Sequence, residues 1–415
     1  MSSNDIFVLL LVSSVPLSQS TIVCPSFKDY FTSRINKNCF DNPDGDAEEP
    51  SVIIQRLGFH HKTYQITTED GYTISVEQMH KTIKRKTPII IGPGIYMNSL
   101  AFINRGNKSL AFFLANQGYQ VWIINWRGTR FSRKHSYLSP TDRNYWNMGF
   151  HKMAVFDLKS VMEKVFEESK NKGIYIGFSM GTTIGMIFNM KEQEVAERTL
   201  KGMIHMAPIA IMDDFKSILR YLNPLWPVVR PLASRLHHGE VLPYRRIRII
   251  CGSHPFQVFF CELLILPIFG NSFRFLDPLT YPITSIQNRD SISINTVEHY
   301  HQIIKSGQFI EFDFGVEENL EKYNSEQPPV YDLKKMTLPQ LMLVGERDIV
   351  ATRKDTQNLY EKIPEKSKCG YSLVKKYGHR EFINAFDVDE ILFDKVLSAV
   401  EKIDENKCNV NTENK

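Results

Sequence analysis

From about residue 60 the chain settles into a rhythm of short apolar runs separated by segments with helical spacing. Residues 64–67 and 72–76 alternate apolar and polar positions around Glu69-Asp70-Gly71, which predicts a β-hairpin closed by an Asp-Gly turn. Residues 88–91 (PIII) read as a buried strand that ends in Gly92-Pro93-Gly94-Ile95. A helix is expected over 110–117, stopping at Gly118, and residues 121–124 (VWII) form the next strand, running into Asn125-Trp126-Arg127-Gly128. Val155, Leu158, Val161, Met162 and Val165 share one face of a helix predicted over 153–168. Apolar runs recur at 174–176, 201–207, 340–345 and 371–374, and an amphipathic helix over about 389–403 closes the pattern. Short strands that are apolar throughout and alternate with helices predict an α/β fold with a mostly parallel central sheet and helices on both faces.

Between about 209 and 328 this rhythm breaks, and aromatic residues and prolines become frequent. Residues 255–270 (PFQVFFCELLILPIFG) are the most apolar stretch, yet they hold Glu262 and two prolines within a run too short for a membrane span. An inserted helical cap over an apolar site accounts for the segment, with ordinary buried core helices as the alternative. The expected organisation is therefore an N-terminal segment at 21–50, core at 51–208, cap at 209–328, core again at 329–405 and a polar tail at 406–415.

Ahead of all this, residues 6–17 (IFVLLLVSSVPL) are an apolar run of twelve followed by Ser18-Gln19-Ser20. The run is too short to cross a bilayer and fits a secretory signal over 1–20, although the preceding MSSND lacks Lys and Arg; an uncleaved anchor is the competing reading. Passage through the secretory pathway permits disulfides among the six cysteines. Cys24 with Cys39 and Cys251 with Cys261 would close short loops, while free thiols are the alternative. Asn107-Lys108-Ser109 is the one N-glycosylation sequon. With a net charge of +4 and basic residues dispersed, nothing calls for nucleic acid.

The chemistry centres on Gly177-Phe178-Ser179-Met180-Gly181, which lies between an apolar strand and a segment that can wind into a helix. G-x-S-x-G in that setting is a nucleophile elbow, in which small residues on either side let a strained turn raise the serine hydroxyl above the sheet. A plain Gly-rich turn is the bland alternative. A serine needs a base to take its proton, and the base needs an acid to fix its tautomer; in this topology they follow in the order Ser, Asp/Glu, His. Asp348 stands just past the strand at 340–345 and His379 just past the strand at 371–374. Glu346 competes for the acid's role, and a helix N-cap is Asp348's alternative employment. The backbone N–H groups of Ile95 and Met180 are the expected oxyanion donors. The remaining histidines make no zinc pattern, and no metal or cofactor is expected.

The segments TTEDGY at 67–72, SLAFFLANQGYQVW at 109–122, NWRGTRFSRKH at 125–135, GFSMGTT at 177–183, KSGQFIEFDFG at 305–315 and YGHREF at 377–382 resemble the acid lipase family of α/β-hydrolases. That resemblance implies an α/β-hydrolase fold with an inserted cap, a triad of Ser179, Asp348 and His379, and oxyanion amides at Ile95 and Met180. It further implies a secreted or lysosomal ester hydrolase that acts without cofactor on acyl esters of neutral lipids, meeting a lipid droplet or membrane surface through the cap. The chain departs from the family in carrying Phe178 and Met180 where His and Gln are usual, Pro93-Gly94 where His-Gly is usual, and a dissimilar cap. Two other functions share the same residues: a lipid carrier that has lost turnover, and an acyltransferase that passes the acyl group to an alcohol.

Overall fold

The computed structural model describes residues 21–409 except for 34, 46, 237, 245, 247–249, 252–254 and 271–274. The predicted signal segment at 1–20 and the last residues of the tail lie outside the described residues. Among the described residues nine strands form the central sheet: β1 His60–Thr67, β2 Tyr72–His80, β3 Ile89–Gly92, β4 Val121–Ile124, β5 Lys134–His135, β6 Gly173–Phe178, β7 Leu200–Met206, β8 Gln340–Gly345 and β9 Lys368–Val374. Their order is β9-β8-β7-β6-β3-β4-β2-β1, with β5 paired to β2. Strands β1 and β2 make the antiparallel hairpin, in register from His60 opposite His80 to Thr67 opposite Thr73. From β4 across to β9 every neighbouring pair is parallel.

The burial of these strands explains why they read as continuous apolar runs. Every residue of β3, β4, β6 and β8 is buried, which requires cover on both faces of the sheet. Helices supply it: α1 Leu110–Asn116 between β3 and β4, α2 Lys159–Ser169 before β6, α3 Met180–Lys191 after it, and α8 Asp394–Asp404 at the C-terminal end. Between β7 and β8 none of the described residues joins the main sheet. The chain instead builds helices that include α4 Trp226–Leu236, α5 Pro255–Phe269 and α6 Ile294–Ser306, and a small antiparallel pair, Glu240–Val241 with Ile292–Ser293. Among the described residues no helix is long and apolar enough to cross a membrane. Disulfides join Cys24 to Cys39, Cys251 to Cys261 and Cys369 to Cys408. The last ties the outer strand β9 to the segment beyond α8.

The helix expected over 153–168 is not uniform. A π-helical stretch, Met153–Leu158, precedes α2 and holds Asp157 fully buried. Arg127, also buried, donates from Nε and Nη2 to Asp157 Oδ1 at 2.8 and 2.5 Å and from Nη1 to Asp70 Oδ2 at 2.6 Å. Its guanidinium lies 4.0 Å from the Tyr72 ring. One arginine thus pins the hairpin turn, the end of β4 and the start of α2 together. Removing one partner of a buried ion pair leaves the other charge without compensation, so Asp157→Ala is expected to cost about 3–5 kcal/mol of stability in denaturant unfolding. A loss below about 1 kcal/mol would mean that Asp70 alone satisfies the guanidinium.

Candidate active site

Strand β6 ends at Phe178 and α3 begins at Met180, so Ser179 occupies the whole turn between them. Its backbone sits at φ 51° and ψ −118°, a conformation a residue with a side chain adopts only under constraint. Three bonds hold it there: the Ser179 N–H donates to Met206 O of β7 at 3.0 Å, and its carbonyl accepts the Thr182 N–H at 2.8 Å and the Thr182 hydroxyl at 2.6 Å. The flanking glycines are required by contact. A Cβ on Gly177 would stand 2.8 Å from the Gly181 carbonyl, and one on Gly181 would stand 2.1 Å from Gly92 O at the end of β3. Side chains at either position would push the elbow off the sheet.

Asp348 follows β8 by three residues and His379 follows β9 by five. Asp348 Oδ1 accepts the N–H groups of Val350 and Ala351, each at 2.8 Å, which fixes the carboxylate plane. Its Oδ2 then lies 2.8 Å from His379 Nδ1, and His379 Nε2 lies 2.8 Å from Ser179 Oγ. With Asp348 as acceptor, the imidazole carries its proton on Nδ1 and offers the Nε2 lone pair to the serine hydroxyl. Glu346 is exposed and accepts the Lys376 N–H at 2.9 Å, so it is not the partner of His379. The three linked side chains are all buried, and the imidazole is neighboured by Phe269 at the end of α5, its ring nearly parallel at 5.9 Å, and by Phe178 at 5.4 Å. These two aromatic rings pack against the base.

The loop after β3 comes up against the elbow: a Cβ on Gly94 would be 3.2 Å from Ser179 Cβ. Trp126 Nε1 donates to Pro93 O at 2.9 Å, and Asn125 Oδ1 accepts the Ser99 N–H at 2.8 Å, so the Asn-Trp-Arg-Gly segment after β4 braces this loop. No acceptor among the described residues takes the N–H of Ile95 or of Met180. At Met180 the reason is local, since the first N–H groups of a helix have no intrahelical partner. Among the described residues both amides keep their hydrogen-bonding capacity unspent.

Two other histidines, His205 and His299, are fully buried. His299 donates from Nε2 to Ile310 O at 2.8 Å and His205 from Nε2 to Gln340 Oε1 at 2.6 Å, and burial lowers their pKa values to about 3 and about 4. Among the described residues no three His, Cys, Asp or Glu side chains are grouped as metal ligands would be. Asn107 is exposed, in a short 3-10 turn. Residues to which the sequence reading gave no task also lie here: Asn98, Trp126 and Asp290 around the loop after β3, and Glu262 of α5, a fully buried acid paired with Arg380 beside the histidine and with Arg289 at 3.7 Å. The Asn-Trp-Arg-Gly signature marked Trp126, but no local pattern assigned a task to the others.

Comparison with known proteins agrees with this architecture. A family described as "alpha/beta hydrolase fold" matches residues 87–231. Lipase member K from Homo sapiens is 28% identical over 373 residues, covering 87% of this chain and 92% of that protein. Gastric triacylglycerol lipase from Rattus norvegicus is 27% identical over 372 residues, covering 86% of this chain and 92% of that protein. The crystal structure of a soluble variant of monoglyceride lipase from Saccharomyces cerevisiae shares the fold, with a TM-score of 0.51 at 16% identity over 82% of this chain and 96% of that one. Fold and relatives together define the chain as an α/β-hydrolase of the carboxylic ester hydrolase class. Within that class its resemblance to the acid lipases extends over most of its length.

Proposed function

We propose that this protein is a lipase that cleaves acyl esters of neutral lipids, such as triacylglycerols or cholesteryl esters, by way of an acyl-enzyme on Ser179. The observation that carries this reading is the continuous hydrogen-bonded chain from Asp348 through His379 to a serine on a strained elbow. Ser179 Oγ attacks the ester carbonyl while His379 Nε2 takes its proton, and Asp348 stays ionised and offsets the charge on the imidazolium. The oxyanion that forms is met by the N–H groups of Ile95 and Met180, fixed before the substrate arrives. His379 returns the proton to the departing alcohol, and water then releases the fatty acid by the same steps in reverse order.

A relative named gastric triacylglycerol lipase supports the choice of neutral lipid esters. So does the surface of the region we read as the cap, residues 209–328, where Tyr221, Val228, Leu232, Phe260 and Leu264 are all exposed. Isolated exposed apolar residues are ordinary, but a set of them on the helices of one region fits contact with a lipid surface. Because Ser179 is 95% buried with the α5 residue Phe269 against its base, the cap must shift to admit substrate. Three disulfides suit a secreted or lysosomal location.

The test is fatty-acid release from emulsified triacylglycerol and cholesteryl ester between about pH 4 and 8, beside stoichiometric labelling of Ser179 by a lipid organophosphonate. Release with labelling is the expected result. Labelling without release in water, restored by an added alcohol, would make the protein an acyltransferase. Failure of both would overturn catalysis and leave a lipid carrier.

A further inference from the structure

Asp290, in the segment between the two halves of the sheet, is fully buried and far in sequence from any residue assigned to the reaction. Its backbone N–H donates to Tyr96 O at 2.8 Å. Its Oδ2 accepts Asn98 Nδ2–H at 2.9 Å, and its Oδ1 accepts the N–H groups of Arg130 at 2.9 Å and Ser291 at 2.8 Å. The Arg130 guanidinium lies 3.9 Å from Oδ2. Two of these contacts fall on the stretch directly after Ile95. Tyr96 needs such a hold, because its φ of 60° places a bulky side chain in the left-handed region. Asn98 also accepts the Leu100 N–H at 2.9 Å and donates to Gln287 O at 3.1 Å.

We propose that Asp290 is a positioning residue that clamps Tyr96 and Asn98 and thereby aims the Ile95 amide at the oxyanion. The proposal rests on the reading of Ile95 as an oxyanion donor. The loop is fastened on both sides of Ile95: Pro93 O is held by Trp126, and Tyr96 O with the Asn98 amide is held by Asp290. Between the fastenings the Ile95 N–H is left without an acceptor among the described residues. A preorganised donor is worth having only if its direction is fixed, since a displacement of about 1 Å costs on the order of 100-fold in rate. Asp290 also makes the oxyanion loop depend on the region between β7 and β8, so the fit of that region against the core bears on the rate of the chemical step.

Asp290→Asn keeps the shape of the side chain but places an NH2 group where every neighbour is a donor, facing either Asn98 Nδ2 or the N–H groups of Arg130 and Ser291. With the full chain and p-nitrophenyl butyrate as the ester, kcat is expected to fall about 100-fold while KM stays within about threefold. Amide hydrogen exchange of the peptide spanning residues 95–100 is expected to accelerate in Asp290→Asn, with the peptide over α3 unchanged. Should Asp290→Asn not fold, Asn98→Ala removes one clamp and leaves the carboxylate its backbone donors, with an expected loss of about tenfold in kcat. Unchanged kcat, or a fall in kcat matched by an equal rise in KM, overturns the proposal. If the wild type itself shows no hydrolysis that Ser179→Ala removes, the esterase reading fails first; unchanged exchange over 95–100 then separately overturns the clamp.

Discussion

Ser179→Ala is expected to lower kcat for ester hydrolysis by about 10⁶-fold while leaving the protein folded. The magnitude follows from what the substitution removes. Without Oγ there is no acyl-enzyme, and His379 has only solvent water to activate, held by nothing in the elbow. The fold should tolerate the change, because the strained backbone at φ 51° depends on the bonds to Met206 and Thr182 and on Gly177 and Gly181, none of which uses the serine hydroxyl. Release of butyrate from tributyrin, with thermal unfolding of both proteins as the control, measures it. A residual rate within about 100-fold of the wild type would mean that another group does the chemistry.

Asp348→Asn is expected to lower kcat by about 10⁴-fold with little effect on KM, because it changes the tautomer of the base without moving it. In the native site Oδ1 is engaged by the N–H groups of Val350 and Ala351. An asparagine would keep its oxygen there and turn its NH2 toward His379 Nδ1. The imidazole would then accept at Nδ1 and carry its proton on Nε2, the atom that must take the serine proton. Glu346 cannot rescue the variant, since its carboxylate is occupied on the exposed side by Lys376. The check is kcat on a soluble ester for Asp348→Asn beside Glu346→Gln, the latter expected within about twofold of the wild type. A large loss in Glu346→Gln with a small one in Asp348→Asn would reverse the assignment.

How much of this was legible in the chain follows from where each residue sits. The strands were readable because burial on both faces makes them apolar throughout, and the hairpin turn because Asp70-Gly71 carries its own turn chemistry. Ser179, Asp348 and His379 could be picked out because they stand at strand ends in a fixed order, so local context and sequence order suffice. Asp290 could not, for its partners Asn98 and Arg130 are 192 and 160 residues away and no period encodes such a bond. The π-helical stretch at Met153–Leu158 was hidden for a related reason: its apolar spacing reads as plain helix, and the wide turn accompanies burial of Asp157 against Arg127. The region between β7 and β8 showed only its composition. Its helices carry apolar residues that stay exposed, such as Val228 and Leu264, and so blur the face that helical periodicity would mark.

The order of strands in the sheet also sets a schedule for assembly. Strands β3, β4, β6 and β7 lie side by side and all come from the first half of the chain, whereas β8 and β9 add at one edge and bring Asp348 and His379 with them. The serine and the base that activates it are separated by 200 residues. At the pace of translation that interval is roughly 10–40 s, during which the elbow can exist without acid or base. A chain made beside a membrane would therefore carry its nucleophile unactivated until the last strand docks, and the bond from Cys369 to Cys408 then staples that strand in place.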